Sequence, residues 1–194
     1  MAAVHAECQR TIHTPELHMK KLVLSLTTAC LLSGTGLSAV AADAQRQAEV
    51  AKLGTDVMPF SLKATTHIFT KTAEGGVQRV VAKNKSATDA RQVKLVREHL
   101  REIRAEFLKG DFSGPTHIHG AEMPGLAELK AAKPGQVAID YRDVTAGAEL
   151  TYRTADAKLV AALHQWFDAQ LSDHGADAMS GHVHHDNHDA MTKP

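Results

Sequence analysis

The chemistry available to this chain is carried mainly by histidine, of which it has 13 against two cysteines. Two of them form the triplet His117-Ile118-His119, set between Gly114-Pro115 and Gly120. On an extended backbone, side chains two residues apart project to the same side, so the pair would make a two-toothed clamp for an ion. Imidazole suits zinc, copper or nickel, and the nearby Met123 would favour copper if its thioether joined. A clamp of this kind needs partners. His67, His99 and His164 each sit in a segment of definite period, so a folded element can carry each of them to the loop. The favoured set is His117, His119 and His164, with His67 or His99 as the fourth ligand. Asp168 lies one helical turn from His164 and is placed to orient its ring. His174 is about 15 Å from His164 along a helix axis, too far to share an ion, and reads as a last-turn residue favourable to the helix dipole.

The elements that must position these residues follow from period and punctuation. Lys63 to Lys71 is rich in Thr, Ile and Phe, Ala73-Glu74-Gly75-Gly76 is a turn, and Val77 to Ala82 returns, which predicts a hairpin with His67 beside Thr65 and Phe69. Val93, Val96, Leu100, Ile103 and Phe107 recur at three and four residues, so a helix is expected from about Asp89 to Lys109, with Gly110 as its stop. His99 lies on the shoulder of that stripe. The His117 loop and a short helix over Leu126 to Ala132 come next. Val137, Ile139 and Tyr141, then Ala148, Leu150 and Tyr152, alternate about a Thr145-Ala146-Gly147 turn as a second hairpin. A second helix, capped by Thr154 and stopped by Gly175, aligns Leu159, Leu163, Phe167, Gln170 and His174 on one face. Hairpin then helix occurs twice. The expected fold is α+β, two ββα repeats forming a four-stranded, mainly antiparallel sheet with both helices on one face, and with His99 and His164 at equivalent places in the two halves.

The ends of the chain carry a different message. Residues 1–18 have no period and read as an over-long start. Met19-Lys20-Lys21, the apolar Leu22 to Leu32 and Ala39-Val40-Ala41 have the order of a secretory signal peptide over 19–41. The apolar run is shorter than the roughly 20 residues that cross a bilayer, so no membrane anchor is expected after processing. Cys8 and Cys30 both precede the cleavage point. A mature chain without thiols, in the periplasm or secreted, would bind metal through His, Met, Asp or Glu. Residues 42–60 are polar and alanine-rich, a frayed helix or loose arm, and 61–175 is the single α+β domain. From 176 to 194 the apolar period stops, and His182, His184, His185 and His188 stand with Met179 and Met191 among Ser, Gly, Asp and Asn. That composition predicts a disordered tail for metal capture.

Positive and negative side chains balance at 22 each, and no basic block stands out, so nucleic acid is not an expected partner. There is no Gly-x-Ser-x-Gly elbow, cysteine nucleophile, phosphate loop, haem attachment sequence or His-Glu-x-x-His. At Thr66-His67-Ile68-Phe69, Gly75-Gly76-Val77-Gln78, Thr116-His117-Ile118-His119-Gly120, Met123-Pro124-Gly125 and Leu163-His164-Gln165-Trp166-Phe167-Asp168 the mature chain resembles a group of small exported bacterial proteins. Some of these carry the label aspartate carbamoyltransferase. That enzyme has two α/β domains and a Ser-Thr-Arg-Thr loop, and this chain has neither the strand-helix alternation nor the loop, so the resemblance implies export and does not carry that enzyme's activity over. The leading reading is a periplasmic binder of copper or zinc in metal handling or tolerance, whose partners are metal ions and another periplasmic metal-handling protein. A metalloenzyme, hydrolase or oxidase, on the same histidines is the second reading. A ligand-binding or structural module with incidental histidines is the third.

Overall fold

A computed structural model describes residues 35–83 and 87–182. The first hairpin pairs β1, Thr65–Thr72, with β2, Gly75–Ala82, and the second pairs β3, Ala138–Val144, with β4, Gly147–Arg153. Antiparallel pairing of β2 with β4 joins them into one sheet. Gly147 opens β4 hard against β2, where a β-carbon would overlap the Val80 carbonyl. The sheet has five strands rather than the expected four, in the order β3-β4-β2-β1-β5. The fifth, β5 (Ala178–Ser180), lies parallel to β1 and sets Ala178 opposite His67. Order therefore extends past Gly175, through a short 3-10 turn at Gly175–Asp177, into residues expected to be tail. Those residues lack apolar period because β5 is an edge strand, held to β1 by its backbone, as in the bond from Gly181 N to Phe69 O. His184, His185 and His188 lie outside the described residues.

Period two divides the sheet into two faces. His67, Phe69, Val80, Ala148, Leu150 and Tyr152 are buried on one of them. Helices α2, Ala87–Phe107, and α5, Ala157–His174, both cover that face. Their apolar stripes, Val96, Leu100, Ile103 and Phe107 from α2 and Leu159, Leu163, Trp166 and Phe167 from α5, supply the other half of the core. On the opposite face Glu149, almost fully buried, receives Arg79 at 2.8 Å and Arg142 at 2.6 Å, so its charge is paired from both neighbouring strands. Asp156, not Thr154, caps α5, its carboxylate accepting from Lys158 N at 2.8 Å. Thr154 makes the preceding turn by accepting from Asp156 N.

Two further departures bear on the histidines. The expected arm is helix α1, Thr35–Val57. Its Ala, Gln, Arg, Glu and Lys residues are good helix formers, and it ends where Met58 precedes Pro59, a place that disfavours helical backbone. Val50, Met58 and Phe60 reach the core, so this segment is part of the domain. The expected processing point after Ala41 falls within α1. The His117 loop is likewise a helix, α3 (Ser113–His119), followed by α4 (Leu126–Ala131). Pro115 lies in the first turn of α3, where backbone N–H groups have no helical partner to lose, and Gly120, at φ 86°, ends it. No helix among the described residues is long and apolar enough to cross a membrane.

Candidate metal centre

Helix α3 takes the His117-x-His119 clamp apart. Residues two apart on a helix are about 200° apart around its axis, so one ring faces in and the other out. His117 is half-exposed and meets Asp56 of α1 at 3.2 Å. His119 is buried. His164 is also elsewhere: its Nε2 donates to the carbonyls of Thr72 and Gly75, at 3.0 and 2.9 Å, and so fastens α5 to the β1–β2 turn. Asp168 pairs with Lys71 at 2.5 Å instead of orienting that ring. His99 and His164 accordingly do different work in the two halves. Met123 is packed in the core.

The structure assembles a different set. His67 from β1, His99 from α2, His119 from α3 and His174 from the last turn of α5 line one cavity of about 50 Å³. That volume holds an ion or a few waters. His174 is central. Its ring lies parallel to that of His67 at 4.9 Å between centroids, and edge-on to His119 at 5.1 Å. Two imidazoles bound to one tetrahedral ion, with metal–nitrogen bonds of about 2.0–2.1 Å, have centroids about 5 Å apart. His99 stands across Phe60, whose ring is 5.6 Å from His99 and 5.9 Å from His67. Met58, Gln78, Trp166 and Gln170 complete the polar and soft part of the wall.

Burial sets the protonation of these rings. It lowers His99 and His174 to about 4, with the neighbouring His119 adding to the effect at His174. His67 is driven well below its ordinary value by burial first and then by His174, His99 and His119, against a weaker pull from the Asp177 backbone. His119 is lowered as well, burial outweighing its bond to Asp173. All these rings are therefore neutral near pH 7, the form that binds metal. The Nδ1 of His67 and the indole nitrogen of Trp166 are buried with no hydrogen-bond partner, and both residues line the cavity. A buried polar atom left unpaired costs about 1–3 kcal/mol.

The remaining member is oriented from outside. Asp173 takes the Nδ1 of His119 at 2.7 Å, which leaves Nε2 free. Arg46 of α1 grips both oxygens of Asp173, at 3.2 and 2.7 Å, and donates to the His119 carbonyl at 2.8 Å. Burial would raise the Asp173 carboxyl, but the bonds from Arg46 and His119 outweigh it and hold it below the usual carboxylate range. This is the carboxylate–histidine arrangement that fixes a ligand's tautomer in metal sites. Among the described residues no three His, Cys, Asp or Glu side chains already stand in position to hold one ion. The centroid distances from His174 to His67 and to His119 are those of co-ligands, but the parallel rings of His67 and His174 do not aim their nitrogens at one point, so closing the set on an ion requires side-chain rotation. The chain matches no protein-family model, no curated protein and no solved structure.

His174, Arg46, Asp173 and Met58 carry parts of this arrangement that the pattern of the chain did not assign. For His174 a signal was present, because Gln170 and His174 continue the stripe of Leu159, Leu163 and Phe167, and polar residues on a buried face need a reason. Arg46→Ala is expected to free Asp173 and loosen His119, lowering affinity for a bound metal by about 10–100-fold, the usual effect of removing a ligand's orienting partner. Chelator competition on the two proteins measures it, and unchanged affinity would remove α1 from the site.

Proposed function

We propose that this is an exported, periplasmic transition-metal-binding protein, for copper or zinc, acting in metal handling or tolerance. The folded ligands are His67, His119 and His174, with His99 entering from α2, and the His182, His184, His185 and His188 segment serves as a capture tail. The observation that carries the reading is the His67 Nδ1, buried without a partner beside further neutral imidazoles in a cavity of ion size. Desolvating several imidazoles together costs free energy that an apolar core would not, and metal coordination supplies the missing partners. The donors are all nitrogen, with sulfur from Met58 available, and that set suits copper and zinc over magnesium or calcium.

The test is elemental analysis of the exported protein, beside a full chain carrying His182→Asn, His184→Asn, His185→Asn and His188→Asn. The altered chain is expected to retain about one tightly bound ion, as one closed site requires, while the native chain takes up more with weaker affinity. His174→Ala should abolish the tight ion and leave the weak ones. Uptake that disappears wholly with the tail histidines would leave the folded cluster without a metal role.

A further inference from the structure

The charge around the cluster points to the ion's valence. The cavity wall contains no Asp, Glu, Lys or Arg. Its soft donors are neutral imidazoles and the thioether of Met58; Gln78, whose oxygen accepts from Tyr152 at 2.8 Å, and Gln170 are its amides, and the rest is largely apolar, with Phe60, Val80, Leu100, Ile103, Phe107 and Trp166. The carboxylates that bear on the histidines are already paired. Asp173, behind His119, is held by Arg46 at 2.7 Å. Asp177, which bears on His174, is held by Lys83 at 2.8 Å. Arg46 also meets the exposed Glu49 at 3.8 Å, but among the described residues no carboxylate faces the cavity itself to offset a cation placed among the rings.

The cost of moving an ion from water into a low-dielectric cavity grows with the square of its charge, so a divalent ion costs about four times as much as a monovalent one of similar size. Zinc and oxidised copper usually meet this with thiolate or carboxylate ligands, or with water. Monovalent copper is soft, accepts two to four neutral ligands and favours thioether sulfur. We infer that the cluster of His67, His119 and His174, with Met58 as its sulfur ligand, is a site for copper in the +1 state rather than for a divalent ion. This rests on the proposal that the cluster binds metal at all. It goes further in naming the oxidation state and in assigning Met58, the residue where α1 gives way to the loop before β1. Phe60, two residues on, closes the cavity beside His99 and His67. The inference concerns binding of an ion already reduced, and involves no electron transfer by the protein.

The experiment uses the full chain with the four tail substitutions given above, under anaerobic conditions. Bicinchoninate competes for monovalent copper, and a zinc-responsive fluorescent chelator competes for zinc. Copper in the +1 state is expected to bind one per chain and at least roughly 100-fold more tightly than zinc, two tenfold steps in affinity. Met58→Leu, close in volume and so tolerated by the fold, is expected to weaken copper about tenfold and to leave zinc unchanged. X-ray absorption of the chain with the tail substitutions and native Met58, loaded with one equivalent of copper, should show sulfur in the coordination shell beside nitrogen. That readout does not depend on how the variant folds. Zinc bound as tightly as copper, or a copper shell of nitrogen alone, overturns the inference while the metal-binding function stands. Binding of neither ion overturns the inference together with the folded site on which it rests.

Discussion

The metal-free protein is expected to lose stability steeply as the pH falls from about 6.5 towards 4. In the unfolded chain histidine takes up a proton near pH 6.5. In the folded protein His99 and His174 do not until about pH 4, and His67 is lowered in the same direction. The sign follows from proton counts. Between those values the unfolded state binds more protons than the folded one, so stability is fully present above pH 6.5 and declines as the pH drops. Each such ring contributes up to about 1.4 kcal/mol per pH unit. For His99 and His174 alone the loss from pH 6.5 to 5.0 is roughly 3 kcal/mol, and His67 and His119, lowered in the same direction, add to it, against the roughly 5–15 kcal/mol that holds a typical domain. Urea unfolding at a series of pH values measures this directly. His174→Gln removes one of the titrating rings and should flatten the slope by up to about 1.4 kcal/mol per pH unit. A stability that stays level between pH 7 and 5, and falls only where carboxylates titrate, would mean that the rings open to water before they charge.

The two hairpins and two long helices were legible because each has one buried face, and burial on one face writes a period into the sequence. Val93 to Phe107 and Leu159 to Phe167 show it in the helices. What the period could not convey was the structure of segments whose order comes from elsewhere. Strand β5 has no apolar alternation since it is a three-residue edge strand that gives the core only Ala178 and is otherwise joined by its backbone. Helix α1 shows few apolar positions because it lies on the outside of the domain and inserts mainly Val50. Its ties to the site are the polar Arg46 and, at its last residue, Val57 in the cavity wall. At His117-Ile118-His119 the sequence permits two conformations with opposite consequences: extended, the imidazoles agree; helical, they part. Pro115 in a first turn and Gly120 as a stop are the residues that favoured the helix, and Ile118 joining the core fixed it. His67 and His99 were candidate ligands because each belongs to an element of definite period that could flank the His117 segment, and both reach the cavity. His164 belongs to such an element as well, yet one end of α5 meets the hairpin turn and the other meets the cavity, and only His174 is at the cavity end.

Such a cluster should stand in opposition to the stability of the metal-free fold, and His67 is the place to measure the conflict. Its ring is fully enclosed, its Nδ1 has no partner and its neighbours Phe69 and Phe60 are apolar. His67→Leu keeps similar bulk on a strand position that faces the core, and removes the unpaired nitrogen. The metal-free variant is expected to be more stable than the native chain by about 1–3 kcal/mol, the cost of leaving one buried polar group unsatisfied. Its copper and zinc affinity should fall to that of the tail alone. In a domain of this size that gain corresponds to a rise of roughly 2–4 °C in melting temperature for each kcal/mol. The native protein would recover the difference only when loaded, since an ion held at 1,000 times its dissociation constant adds about 4 kcal/mol. Thermal melts of both proteins, with and without metal, therefore give four values whose order is fixed by the argument: loaded native highest, then the variant with or without metal, then metal-free native. A metal-free His67→Leu protein less stable than the native chain would show that His67 is held by a contact worth more than its orphaned nitrogen costs, and would make the ring part of the core rather than a ligand waiting for its ion.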